Sequence, residues 1–295
     1  MVDYFIEILY QTQPNTSITE KFSTSMTDHW NRHARQWQWI ASPLRPAPEE
    51  IAFAEQAVSE WHRKNQSPAI NALLLGVTPE IALMQWPATT QLVAIDHSQA
   101  MIDGVWPGDT PARTARCAEW VRLPLPDASQ HIVIGDGCFN ALLYPEYQRA
   151  VSEARRVVRD NGIVVIRFFL RPEISEPVDT VVDDLIHGRI GNFHVFKWRL
   201  AMALHGTLKD GVRLADIWDT WHAEVPDPES LAAKLGWPRE VVRTINNYRG
   251  VATRYTFPTL AEAGAAMARA FIETNCFFSK YELGERCPTL VFRPR

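Results

Sequence analysis

The chain has 295 residues, 46% hydrophobic and 22% charged, with 14 glycines and 20 prolines. This is an ordinary globular balance that excludes a collagen-like or broadly disordered chain and leaves room for about two domains. Thirty Lys and Arg against 34 Asp and Glu leave a net charge of -4, which argues against nucleic acid or an anionic membrane as a partner held by bulk charge. The four cysteines form no C-x-x-C pair, so free thiols in a reducing compartment are expected.

Met1 to Tyr10 hold Asp3 and Glu7 and no basic residue, unlike the start of a secretory signal. No apolar run reaches the ~18 residues of a membrane span. A cytoplasmic protein is expected, and the sequon Asn15-Thr16-Ser17 is then a chance match. Residues 1–66 read as a helical N-terminal extension: a polar stretch through Ser25, the segment 28–40, a Pro-rich hinge from Ser42 to Pro48, and a helix over 49–64. In that helix Ile51, Ala54, Val58 and Trp61 recur at helical spacing and share a buried face.

From 67 to 170 short apolar runs alternate with helical segments, the pattern of a parallel sheet covered on both faces. Strands are expected at Ile70–Leu75, 91–95, 115–120, 131–134 and 163–170. After the first, Gly76 breaks the chain and Thr78, Pro79 and Glu80 suit a helix start, with Thr78 as its cap. After the second, Asp96 is followed by Ser98, a cap for a helix containing Met101 and Ile102. A helix from Pro145 places Tyr147, Ala150, Val151, Ala154, Val157 and Val158 on one stripe and is expected to stop at Asn161-Gly162 in a left-handed cap.

Residues 171–275 read as a helical insertion, with helices over 178–187, 193–207, 213–221, 228–235, 238–248 and 259–274. Residues 276–295 read as a hairpin, 277–283 and 289–293 around the turn Gly284-Glu285-Arg286, completing the sheet with antiparallel strands.

Ligands of open α/β sheets sit beyond the carboxyl ends of the strands. Gly76 permits close backbone approach there, and Asp96 follows at the ~20-residue spacing of a ribose-binding acid. The phosphate-binding G-x-G-x-x-G and G-x-x-x-x-G-K-[ST] patterns do not occur at these ends, so no pyrophosphate cradle is encoded.

Over 69–170 plus the final hairpin the chain resembles the class I S-adenosylmethionine-dependent methyltransferases. The resemblance rests on Leu73-Leu74-Leu75-Gly76-Val77-Thr78-Pro79-Glu80, Val93-Ala94-Ile95-Asp96-His97-Ser98, Ala118-Glu119-Trp120 through Asp127, and Val157 to Gly162. It implies an α/β, Rossmann-like seven-stranded methyltransferase sheet and a cofactor, S-adenosyl-L-methionine. It further implies that Gly76, Val77 and Thr78 pass under the methionine end, that Asp96 with His97 holds the ribose, and that Met101 packs on the adenine. Glu119, between Ala118 and Trp120, would face the adenine amine, and Asp136 with Gly137 would lie near the methionine amine or the acceptor, a small molecule. No catalytic residue is assigned; Asp136 and His131 are candidates by location.

The family's loop is acidic-x-Gly-x-Gly-x-Gly, and this chain has Leu74, Thr78 and Glu80 in place of the acid and the later glycines. That departure supports a second reading, a catalytically inactive methyltransferase-like binding or scaffold protein. A third is a DNA-binding regulator: 228–248 has the outline of a helix-turn-helix with Gly236 in the turn and Arg239, Arg243 and Asn246 on the second helix. Its small net charge favours a plain helical hairpin. Trp30, Trp37, Trp39 and Trp61 are expected to clamp the extension onto the sheet, or otherwise to line an acceptor pocket. His29 and His33 have metal-compatible spacing but no evident third ligand, so no metal is expected.

Overall fold

The computed structural model describes residues 29–295; the polar stretch through Ser25 and the sequon at Asn15 lie outside the described residues. A helix over 29–35 (α1) leads through the hinge to α2 (Pro48–Asn65). Five strands follow: β1 (Ile70–Leu75), β2 (Thr90–Asp96), β3 (Arg113–Cys117), β4 (Gln130–Asp136) and β5 (Val158–Arg167). Between them run α3 (Pro79–Ala82), α4 (Gln99–Val105) and α5 (Tyr144–Val157). The insertion carries α6 (Val178–Ile186), α7 (Phe193–Ala203), β6 (Val212–Arg213), α8 (Leu214–Glu224), α9 (Pro228–Leu235), α10 (Arg239–Arg243) and β7 (Arg254–Tyr255). Then come α11 (Leu260–Met267), β8 (Phe271–Phe277) and β9 (Thr289–Pro294).

The main sheet has seven strands in the order β3-β2-β1-β4-β5-β9-β8. β1 to β5 pair in parallel, and β9 pairs antiparallel with β5 and β8. This is the Rossmann-like architecture of the class I methyltransferases. Successive side chains of β1 alternate faces: Leu73 and Leu75 enter the layer formed with Tyr147, Ala150 and Ala154 of α5, whereas Ala72 and Leu74 pack with Ala54, Val58 and Trp61 of α2. A further core fills the insertion, built on Phe193, Phe196, Trp221 and Tyr248. Strand order reverses between β1 and β4, so their carboxyl ends open a crevice there.

Several expected boundaries move. β3 stops at Cys117 because its partner β2 ends at Asp96; Ala118 N–H still donates to the Asp96 carbonyl at 3.0 Å before the chain turns. α5 ends at Val157 and β5 begins at once, so Gly162 lies inside a strand and makes no left-handed cap. Glycine is required there by close approach, since a Cβ would sit 2.7 Å from the His131 carbonyl oxygen.

The run expected as one helix over 259–274 divides into α11 and β8, because Phe271–Phe277 pairs with β9; residues 278–283 form a loop and no strand. Thr78 makes no side-chain cap to the short α3, whereas Ser98 Oγ accepts the Met101 N–H at 3.3 Å. The helix expected over 238–248 is α10 followed by a 3-10 turn, Thr244–Tyr248.

Candidate functional site

The carboxyl ends of β1, β2 and β4 converge on one cavity of about 110 Å³. Its sheet side is made by Gly76, Val77 and Thr78 after β1, Asp96 and Met101 after β2, Trp120, and Asp136 with Gly137 after β4. These are eight of the residues singled out in the sequence. On the opposite side, Trp30 and Trp37 of the extension take the pocket-lining place that was the alternative reading of the tryptophans; the rest was not assigned from sequence: His33 from the extension, Phe169 and Asn140 from beyond β5 and β4, and Trp198, Tyr248 and Tyr255 from the insertion. The small β6–β7 pair, two residues per strand, holds Tyr255 in place.

Gly76 has φ +103°, the left-handed region glycine occupies without strain, and a Cβ there would lie 3.9 Å from Asp96 Oδ2. Asp96 is 7% exposed, and its Oδ1 accepts the Ser98 N–H at 2.8 Å. Burial raises its carboxyl above the ordinary range, with that backbone hydrogen bond acting the other way. Glu80, which stands where the family has glycine, turns away from the cavity and accepts from Arg45 Nε at 2.6 Å. Thr78 stays on the cavity wall.

His97, Ala118 and Glu119 stand outside the cavity wall. The His97 ring packs edge-on against Trp30 and Trp120, at 5.6 and 6.0 Å between centroids. Ala118 is spent on the Asp96 carbonyl and Glu119 is exposed. Trp120 Nε1 donates to the Ile95 carbonyl at 2.6 Å, which fixes its ring across the cavity floor.

Asp136 is held by a buried ionic cluster. Arg167, 3% exposed, donates to Asp136 Oδ1 at 2.6 Å, Glu50 Oε1 at 2.7 Å and the Pro43 carbonyl at 2.5 Å. Tyr281 Oη lies 2.7 Å from Arg167 Nη2 and donates to Glu50 at 2.9 Å. Burial pushes the Asp136 carboxyl up to about 6 even though Arg167 opposes it. Against the cost of burial, Asp136 and Glu50 hold the Arg167 charge well above its ordinary value. The cluster ties together the extension, β4, β5 and the loop after β8.

His131 is not at the site. It lies at the amino end of β4, where its Nδ1 accepts the Asn71 N–H at 3.0 Å. Trp61 packs in the core and donates to the Asn161 carbonyl at 2.6 Å, whereas Trp30 and Trp37 do reach the cavity. His29 and His33 pack with ring centroids 6.1 Å apart, and among the described residues no group of three or more His, Cys, Asp or Glu could hold a metal. All four cysteines are free, and no helix among the described residues is long and apolar enough to cross a membrane.

A second cavity, about 280 Å³, lies among α8, α9 and α10, far from any parallel strand end. Its rim cations Arg239 and Arg243 face Glu229 at 3.2 and 3.5 Å. The same pairing engages the two arginines of the helix-turn-helix outline.

Residues 75–166 match the family model described as a methyltransferase domain. No curated protein matches the sequence. Among solved structures, a candidate Zn-dependent alcohol dehydrogenase from Rhodobacter sphaeroides is 13% identical with a TM-score of 0.56, over 92% of this chain and 99% of that one. The CcbJ methyltransferase from Streptomyces caelestis is 14% identical with a TM-score of 0.54, over 91% and 98%. The 1,6-didemethyltoxoflavin-N1-methyltransferase from Burkholderia thailandensis, solved with 1,6-didemethyltoxoflavin and S-adenosylhomocysteine, is 9% identical with a TM-score of 0.51, over 96% and 93%. At these identities the likeness is one of fold. The domain match runs from the end of β1 through β5, and the strand order is that of the class I S-adenosylmethionine-dependent methyltransferase fold.

Proposed function

We propose that the protein transfers a methyl group from S-adenosylmethionine to a small planar acceptor. The observation that carries this reading is the convergence of the Gly76 bend and the Asp96 carboxylate on one cavity whose far wall is aromatic. A glycine in the left-handed region lets backbone approach a ligand, and a carboxylate at the tip of the adjacent strand accepts hydrogen bonds from a sugar diol.

Asp96 would hold the ribose, Met101 and Trp120 the adenine, and Gly76 to Thr78 with Asp136 the amino-acid end. Among the described residues the cavity wall also contains a buried N–H without a partner, Trp37 Nε1, available to a ligand acceptor. The bound group would supply an electrophilic methyl on a sulfonium. Methyl transfer from it is a direct displacement, so the chain's main task is to hold the acceptor in line and exclude water. Trp198, Tyr248, Tyr255 and Phe169 present the flat apolar surfaces that position a planar ring.

The cavity of about 110 Å³ is well below the ~300 Å³ at which ligand sites begin, so the wall opposite the sheet, formed by α1 and the insertion, has to give way before cofactor enters. The same closure favours the second reading, a fold retained for binding without catalysis. Calorimetry separates them. Heat on adding S-adenosylhomocysteine, reduced at least tenfold in affinity by Asp96→Ala, is the expected result; no heat at millimolar ligand from the wild type overturns the enzyme.

A further inference from the structure

His29 and Tyr255 form a buried pair beside this cavity, joined across the chain from the extension to the insertion. His29, 0% exposed, places Nδ1 3.2 Å from the Asn247 carbonyl and Nε2 3.5 Å from Tyr255 Oη. A carbonyl can only accept, so Nδ1 carries the proton and Nε2 presents a lone pair to the tyrosine hydroxyl. Tyr255 belongs to the cavity wall, its ring edge-on to Trp198 at 6.0 Å. A hydroxyl, an imidazole aimed at it and a third group fixing the tautomer make up the arrangement that removes protons in hydrolytic triads.

Resting on the methyltransferase reading, we infer that Tyr255 is the catalytic residue that takes the proton of an acceptor O–H or N–H, passing its own hydroxyl proton to His29 Nε2. The electron pair of the acceptor's bond to hydrogen stays on the attacking atom and forms the new bond to the methyl carbon. The pair of the broken carbon–sulfur bond stays on sulfur. The proton ends on His29, and the imidazolium replaces the positive charge that the sulfonium loses, so the net charge of the closed site is unchanged.

The charges felt most strongly at His29 are cations: Arg32 on its own helix, Lys197 on α7 and His97 after β2. Among the described residues, His33, also on α1, Tyr248 from the 3-10 turn and Tyr255 from β7 are the other titratable groups in contact with it. Burial, with those cations, lowers His29 to about 4, so Nε2 is unprotonated throughout the neutral range. Burial also raises the Tyr255 hydroxyl, which keeps it a donor to the imidazole. So weak a base accepts a proton only as the sulfonium charge disappears, which couples deprotonation to methyl transfer.

The test uses the full chain with 4-nitrophenol as probe acceptor. At about pH 5, where the probe keeps its proton, methyl transfer to it should fall on the order of 100-fold in both Tyr255→Phe and His29→Gln, as for loss of a general base, with S-adenosylhomocysteine affinity unchanged. In alkaline buffer, where the probe is already phenolate and has no proton to lose, both variants should recover the wild-type rate. In ¹⁵N-histidine spectra with S-adenosylhomocysteine bound, the His29 Nε2 signal should shift in Tyr255→Phe. Variant rates and pH profiles equal to wild type, no transfer to 4-nitrophenol by the wild type, or an unmoved Nε2 signal would each overturn the dyad while S-adenosylhomocysteine still binds. Absence of S-adenosylhomocysteine binding overturns the methyltransferase reading itself.

Discussion

Gly76 and Asp96 end neighbouring parallel strands and approach so closely that a methyl group on Gly76 would lie 3.9 Å from Asp96 Oδ2. Space therefore tolerates Gly76→Ala, but φ +103° does not, and the strain should cost about 1–2 kcal/mol. The variant should fold, unfold at lower urea concentration, and bind S-adenosylhomocysteine more weakly. Asp96→Asn keeps an acceptor for the Ser98 N–H while removing the charge, so affinity should drop about tenfold with little change in urea midpoint. Unaltered affinity in both variants would remove this end of the sheet from cofactor binding.

The Arg167 cluster is sensitive to loss of its cation. Arg167→Leu leaves Asp136 and Glu50 buried without their counter-charge, and breaking a buried pair from one side costs about 3–5 kcal/mol. Urea unfolding should show that loss at pH 7. Asp136→Asn, which keeps an acceptor for Nη1, should cost much less, and a cost equal to that of Arg167→Leu would mean that the carboxylate charge, and not the guanidinium, dominates.

Asp136 also gives the cluster a pH signature. Its folded value near 6 stands above the ordinary carboxyl value, so between about 4 and 6 the folded protein binds more protons than the unfolded chain. Its contribution to stability is therefore full below about pH 4 and is lost as pH rises through about 6. In Asp136→Asn that part of the stability-versus-pH curve should flatten. An unchanged slope between pH 4 and 6 would assign the titration elsewhere.

How much of this was legible in the sequence follows from range of interaction. The strand cores, Asp96 and the Gly76 bend were readable because short continuous apolar runs and strand-end punctuation are local signals. The split of 259–274 into α11 and β8 was not, because Ala-rich residues read helical until β9 is available to pair with Phe271–Phe277. Tyr248 and Tyr255 escaped notice for the same reason, and His29 was noticed only for its spacing to His33. They meet at the site only through the folding of the insertion against α1, and the two-residue strands that hold Tyr255 are too short to leave a periodicity. The tryptophan cluster near the start was the one readable sign that the extension matters to the site, and it divides: Trp30 and Trp37 reach the cavity, while Trp61 serves the core.

Lys197 supplies a second test of pH dependence. It is 1% exposed; its amine donates to Thr244 Oγ1 at 3.3 Å and lies 5.2 Å from the Tyr248 ring centre, and burial lowers it to about 7. Between about pH 7 and 10.5 the unfolded chain binds the proton that the folded one refuses, so stability from this group rises with pH across that window. Lys197→Met, similar in volume and apolar, should raise the melting temperature most below pH 7, by an advantage that fades towards pH 10. A variant less stable than wild type at pH 6 would show that the charge is compensated in place.

Trp30 lines the cavity on the side of α1. Its ring meets His97 edge-on at 5.6 Å, and His97 in turn meets Trp120 at 6.0 Å, so α1 is seated over the cavity by a stack of ring edges. Such pairs contribute about 0.5–1.5 kcal/mol each beyond the area they bury. On the proposed function, entry past α1 breaks the Trp30–His97 contact. Trp30→Ala should therefore speed association of S-adenosylhomocysteine by several-fold in stopped-flow fluorescence. Dissociation should quicken as well, since the same ring closes the site once it is filled. If both rates stay at wild-type values, α1 is a fixed wall and the ligand enters by another route.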